Sequence, residues 1–133
     1  MLRGLTTVSF VADDVDAAQA WYREVLGTKA CFVREIEGRP AYAEFRIGDY
    51  QHELGIIDSR FAQSGPNGGA IVYWHVDDVQ AAFARLLGLG ATEYEAPTER
   101  GPGFVTASVT DPFGNILGVM FNQHYLDVLG SRA

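Results

Sequence analysis

Tyr42, Glu44 and Arg46 stand at alternate positions in one apolar-interleaved run, Glu53 opens the next, and Tyr73 and His75 alternate in a third. Spacing of two puts the residues of each run on one face of a β-strand. A carboxylate with a histidine or tyrosine partner can move a proton beside a carbonyl, and an arginine can hold an anionic group while it does so. In that arrangement Glu53 is the general base, His75 or Tyr73 is the partner acid, and Arg46 is the anchor. The same side chains can instead hydrogen-bond with one another and form a wall for a polar small molecule.

Other chemistries lack their residues. The chain has one cysteine, Cys31, so there is neither a thiolate set for zinc nor an intrachain disulfide. Cys31 is expected as a small buried hydrophobe in a strand. Gly65-Pro66-Asn67-Gly68-Gly69 is glycine-rich, but no Lys-Ser/Thr follows it, so it reads as a linker and not a phosphate loop. The formal net charge of −7 comes with no compensating Lys/Arg stretch, which argues against nucleic acid or an anionic membrane as partner. No apolar run approaches the about 18 residues needed to cross a bilayer, and Met1-Leu2-Arg3-Gly4-Leu5 lacks the pattern of a signal peptide. A reducing cytoplasm is the expected compartment.

The elements that position the chemistry recur. Asp13-Asp14-Val15-Asp16-Ala17-Ala18 returns as Asp77-Asp78-Val79-Gln80-Ala81-Ala82. Behind each lies one face of a helix: Val15, Ala18, Tyr22, Val25 and Leu26 in the first, Val79, Ala82, Phe83, Leu86 and Leu87 in the second. Asp13 or Asp14, and Asp77 or Asp78, can cap free N–H groups of the first turn. Gly27 stops the first helix, and Gly88 and Gly90 stop the second. Strand-like runs precede the helices at 7–11 and 70–76. Others follow at 30–36, 41–47 and 51–57, and at 92–95, 104–109 and 115–121. Turns are expected at 37–40, 48–49, 97–103 and 111–114. The chain is thus an internal duplication of β-α-β-β-β: module one about 5–58, a linker about 59–69, module two about 70–122 and a tail 123–133, together a single domain.

With Trp21-Tyr22-Arg23-Glu24-Val25-Leu26-Gly27, Leu89-Gly90-Ala91 and Asp111-Pro112-Phe113-Gly114-Asn115 added to the two aspartate motifs, the chain resembles the vicinal oxygen chelate superfamily of glyoxalases, bleomycin-resistance proteins and extradiol dioxygenases. The resemblance implies an α+β fold of two tandem βαβββ modules whose curved sheets enclose a cavity, and a homodimer. In each strand the more apolar parity should face the helix. The other parity then lines the cavity: Thr7, Ser9, Tyr42, Glu44, Arg46 and Glu53, with Tyr73, His75, Thr106, Ser108 and Met120. Trp21 and Trp74 are expected in the core.

Metal enzymes of that superfamily carry ligands on the first and last strands of each module. Carried over, those positions are Thr7, Ile71, Glu53 (Gly55 in a shifted alignment) and Gly118. Isoleucine and glycine side chains cannot bind a divalent ion, and threonine is a poor ligand. No metal or other cofactor is therefore expected. A displaced Zn, Ni, Mn or Fe site would have to draw on Glu44, Glu53 and His75. The resulting expectation is a metal-independent protein that binds a small molecule, of the bleomycin-resistance, ligand-sequestering kind. The alternative is a lyase, isomerase or dioxygenase-like enzyme using Glu53 and His75.

Overall fold

The helix inside each repeat starts one residue after an aspartate whose carboxylate accepts from the first turn. In the computed structural model Asp14 Oδ1 accepts from Ala17 N at 3.0 Å, and Asp78 Oδ1 from Ala81 N at 3.0 Å. The second aspartate of each pair is therefore the cap. Residues 1, 3, 5–62 and 71–132 are described by the structure. The glycine-rich linker at 65–69 and Ala70 lie outside them.

Two units divide the chain, Met1–Pro66 and Asn67–Ala133. The first holds β1 (Thr7–Ala12), α1 (Val15–Leu26), β2 (Phe32–Ile36), β3 (Arg39–Ile47) and β4 (His52–Asp58). The second holds β5 (Val72–His75), α2 (Val79–Gly88), β6 (Thr92–Gly101), β7 (Phe104–Thr110), β8 (Ile116–Asn122) and α3 (Gln123–Ser131). The sheets have equivalent orders, β1-β4-β3-β2 and β5-β8-β7-β6. In each, the first strand pairs parallel with the last, and the remaining pairs are antiparallel. This is the expected α+β arrangement of tandem βαβββ modules.

One face of each sheet is apolar and lies under its own helix. In the first unit α1 packs on β3 and β4. It buries Val15, Ala18 and Tyr22 with Phe10, Ala43, Phe45, Leu54 and Ile56. In the second α2 packs on β6, β7 and β8, burying Val79, Phe83 and Leu86 with Ala107, Val109, Leu117 and Val119. Each large aliphatic or aromatic chain so buried contributes about 1.5–3 kcal/mol. Trp21 and Trp74 are half-buried, and Trp21 meets Tyr22 edge-on at 4.8 Å between ring centroids.

Several boundaries differ from the sequence reading. Pro97 does not end a strand, because β6 runs on to Gly101. Register shifts between Glu93 and Glu95 and between Glu95 and Thr98 carry the proline past the ladder bond it cannot donate. The turn at 37–40 shrinks to Glu37-Gly38, with Arg39 and Pro40 already in β3. Gly88 stays helical, and Gly90, at φ +105°, makes the exit. Cys31 is exposed and precedes β2; its thiol donates to the Glu44 carbonyl at 3.3 Å. The tail is largely the helix α3. Asn122 Oδ1 caps it from His124 N at 3.0 Å, and Tyr125 stacks on His75 at 4.6 Å and 8°.

Two buried aspartates hold the ends of strands. Asp111 accepts from Phe113 N at 2.9 Å, Asn115 N at 2.8 Å and Asn115 Nδ2 at 2.9 Å. These bonds explain the Asp-Pro-Phe-Gly-Asn motif as an Asx turn between β7 and β8. Asp58, 1% exposed, closes β4. It accepts from Arg60 N at 2.9 Å, Arg60 Nε at 3.2 Å, a terminal Arg60 nitrogen at 3.0 Å and a terminal Arg39 nitrogen at 3.2 Å. The Arg60 bonds, with help from Arg39, lower its pKa from 3.8 to about 2.

Two outcomes follow. The stabilisation from Asp58 is complete above its ordinary pKa of 3.8, and it is lost as pH falls through about 2. Asp58→Asn should lower the thermal midpoint at pH 7 and flatten its fall between pH 4 and pH 2, read by circular dichroism. Glu37 sits at φ +55° beside Gly38 at φ +78°, a primed hairpin turn that favours Asn-Gly. Glu37→Asn should raise stability by about 0.5–1 kcal/mol in a urea melt, the scale of relief at a left-handed position.

Candidate functional site

The face of the first sheet opposite α1 is polar, as strand alternation requires. Register sets Glu53 between Thr7 of β1 and Arg46 of β3. Glu53 Oε2 accepts from Thr7 Oγ1 at 2.5 Å. Its Oε1 faces a terminal Arg46 nitrogen at 3.7 Å, with the glutamate side chain largely buried. The Thr7 bond, a bond with the Glu44 carboxyl and the Arg46 charge outweigh burial and hold Glu53 below its ordinary pKa of 4.5. Glu53 is thus an ionised group with both oxygens engaged.

Glu44 and Tyr42 complete this face. The Tyr42 hydroxyl donates to Glu44 Oε1 at 2.7 Å. Burial and the neighbouring Glu44 push the phenol well above its ordinary 10.0, so it stays a donor. The Tyr42 ring lies against Gly55 so closely that a Cβ there would stand 2.6 Å from the hydroxyl. Ser9 pairs with the same glycine from β1 and is exposed. Thr7, Ser9, Tyr42, Glu44, Arg46 and Glu53 therefore share one surface.

The second sheet repeats the plan with different residues. Tyr73 of β5 covers Gly118 of β8, where a Cβ would meet the ring at 2.5 Å. Ser108 and Thr106 are buried and pair with Gly118 and Met120. Thr106 Oγ1 accepts from Arg100 Nε at 3.2 Å, and Arg100 also pairs with Glu95. Sequence reasoning missed Arg100 and Glu95. Arg100 fell in the expected turn at 97–103, and bulges break the alternation of β6. Ser108 Oγ has no hydrogen-bond partner among the described residues.

His75 ends β5 and is packed rather than open. Its Nδ1 accepts from Asn122 N at 3.3 Å, which assigns the neutral ring's proton to Nε2. Nε2 is buried, 3.7 Å from Asp77 Oδ1. Tyr125 stacks on the ring, and Phe121 lies at 5.3 Å. His52 is exposed at the start of β4 and stacks on Tyr50 at 5.5 Å. A separate open cavity of about 350 Å³ is lined by Arg23, Glu24, Gly27, Thr28 and Lys29. It lies at the carbonyl end of α1, and none of the predicted site residues lines it.

The donor set does not fit a divalent metal. Of the positions that correspond to metal ligands, Ile71 and Gly118 offer no donor atom, and Gly118 lies beneath Tyr73. Thr7 donates to Glu53, whose other oxygen lies 3.7 Å from an Arg46 nitrogen, so a cation there would meet the guanidinium charge. Among the described residues no three His, Cys, Asp or Glu side chains group to hold an ion.

Comparison with known proteins places the fold. A sequence profile of the Glyoxalase/Bleomycin resistance protein/Dioxygenase superfamily matches residues 4–119. Curated protein sequences gave no significant match. Among solved structures, a glyoxalase-related enzyme from Fulvimarina pelagi is 18% identical with a TM-score of 0.69, covering 92% of this chain and 90% of its own. TioX from Micromonospora sp. ML1 is 18% identical with a TM-score of 0.68, covering 90% and 98%. Lactoylglutathione lyase from Agrobacterium tumefaciens is 23% identical with a TM-score of 0.63, covering 90% and 93%.

The Thr7 hydroxyl is the largest cause of the low Glu53 pKa. Thr7→Val should therefore move the Glu53 carboxyl titration upward, toward 4.5, in a ¹³C NMR pH series. An unmoved titration would show that the hydroxyl does not hold the charge.

Proposed function

The chain belongs to the Glyoxalase/Bleomycin resistance protein/Dioxygenase superfamily, and from that membership we propose that it binds a small molecule without a metal ion. The reading is of the ligand-sequestering, bleomycin-resistance kind. The observation that carries it is the engagement of Glu53 by Thr7 on one oxygen and Arg46 on the other. The one carboxylate at a ligand-like position is built into a hydrogen-bonded wall. Tyr42, Glu44, Arg46 and Ser9 extend that wall with an aromatic ring, charge and hydroxyl groups. Such mixed surfaces orient a polar or planar molecule.

Acid–base catalysis is the second reading, favoured by two carboxyl groups, Glu44 and Glu53, on one sheet face. It requires a base whose pKa lies near the working pH, and Glu53 is shifted the other way. His75 spends Nδ1 on Asn122 and stacks under Tyr125. Binding fits both facts better than turnover does. A homodimer in the cytoplasm completes the proposal: β2 and β6 are edge strands, with Phe32, Val33 and Tyr94 exposed, and edges of this kind favour pairing or covering. No helix among the described residues is long and apolar enough to cross a membrane.

The test is metal content and ligand response together. Untagged protein incubated with Ni, Zn, Mn or Fe(II) and then desalted should retain far less than one metal per chain by plasma mass spectrometry. Near-stoichiometric metal lost in Glu53→Ala would establish a metal centre instead. A small-molecule library should yield a compound that raises the thermal midpoint, since a ligand at 100 times its Kd stabilises by about 2.7 kcal/mol. Glu53→Gln should weaken that compound about tenfold, because Thr7 and Arg46 lose the charge that positions them.

A further inference from the structure

We propose that the polar face of the second unit holds a subsite for a neutral carbonyl or amide group, with Ser108 as its buried donor, Arg100 at its rim and Tyr73 as its aromatic cover. The proposal rests on the reading of the chain as a small-molecule binder and names the chemistry that the second unit's own face would take.

The orphaned hydroxyl is the starting point. Ser108 is 1% exposed, and its Oγ finds no partner among the described residues. A buried hydroxyl left unpaired costs stability, and native proteins rarely keep one without a use. Register sets Ser108 beside Gly118, and Gly118 beside Tyr73. Glu95 of β6 pairs with Ser108 on its other side. The row thus runs Tyr73, Gly118, Ser108, Glu95, with the tyrosine ring lying on the glycine.

The equivalent row of the first unit shows what is missing. There Glu44 stands opposite Gly55, as Ser108 stands opposite Gly118. Tyr42 lies on that glycine and donates to Glu44 at 2.7 Å. In the second unit the covering tyrosine comes from β5 instead of the strand next to the last, and it leaves Ser108 unbonded. The same cover closes a satisfied acid in one unit and an unsatisfied hydroxyl in the other.

The group that completes Ser108 is set by charge. Glu95 and Arg100 pair with each other, so this face carries no net charge from them. The guanidinium has five N–H donors. One bonds Thr106 and another faces Glu95, which leaves donors for a carbonyl oxygen. A carboxylate ligand would meet Glu95, and a cation would meet Arg100. A neutral carbonyl is admitted to Ser108 when the Tyr73 ring, 38% exposed, turns off Gly118. Arg100 then offers its spare donors at the rim, and a planar group attached to the carbonyl stacks on the ring.

Methyl NMR tests this on the full chain. Of its two methionines, Met1 and Met120, Met120 pairs with Thr106 in the adjacent row. Protein labelled with ¹³C-methyl methionine is titrated separately with benzamide, benzoate and benzamidinium. Benzamide should shift the Met120 signal saturably and more tightly than the charged pair. Ser108→Ala should raise the benzamide Kd about tenfold, the scale of one lost hydrogen bond. Its thermal midpoint should hold or rise, because an unpaired hydroxyl is removed. Unchanged benzamide affinity in Ser108→Ala, a lowered midpoint in that variant, a preference for either charged probe, or no Met120 shift would each overturn the subsite. A library compound that responds to Glu53→Gln, together with benzamide binding that ignores Ser108→Ala, would sink this inference and leave the binding reading standing.

Discussion

Each four-stranded sheet has one helix to cover it, and one helix covers one face. Strand geometry sends alternate side chains to opposite faces, so burying Phe45, Leu54 and Ile56 beside α1 sends Glu44, Glu53 and Gly55 into or just under the other surface. The placement of the polar groups is a consequence of apolar burial and needs no separate device. A one-residue slip of β4 against β3 would exchange the two sets, and the cost of exposing the apolar one fixes the register. The parallel pairing of β1 with β4 brings Thr7 beside Glu53, although the two are far apart in the chain.

That constraint links stability to function. The charged groups of the first polar face are held by neighbours on adjacent strands: Glu53 by Thr7 and Arg46, Glu44 by Tyr42. Groups fixed before a ligand arrives lose little freedom when it binds, which favours affinity. Glu53, held below its ordinary pKa, is correspondingly poor at exchanging protons near neutral pH. The last strands supply a glycine at matched places, Gly55 and Gly118, and each admits a tyrosine ring where a Cβ would collide. The duplication therefore conserves an architectural allowance while the chemistry around it differs between units.

Asp14, Asp78, Asp58 and Asp111 show how acidic residues serve the framework of a chain with net charge −7. Two cap helices, one gathers Arg39 and Arg60 at the end of β4, and one ties the turn before β8. Counting acids as candidate site residues would have confused these with Glu44 and Glu53. Strand parity separates them, because it asks which surface a side chain reaches.

The sequence alone determined what depends on neighbours within a few residues. Helix caps act over three positions, strand faces over two, and the repeated Asp-Asp-Val marks the duplication, so the two βαβββ modules and the residues of the first polar face were legible. Only the tertiary structure decided what depends on breaks in strand register and on distant partners. The bulges that carry β6 past Pro97 brought Arg100 and Glu95 beside Thr106 and Ser108. Tyr125 of α3 drew His75 into a stack at the end of β5, where parity alone had placed it on the open face. Arg39 reaches Asp58 only because β3 meets the end of β4, whereas Arg60 is a near neighbour in the chain. Contacts of this kind depend on bulges and on how elements meet, and the alternation of a single run does not encode them.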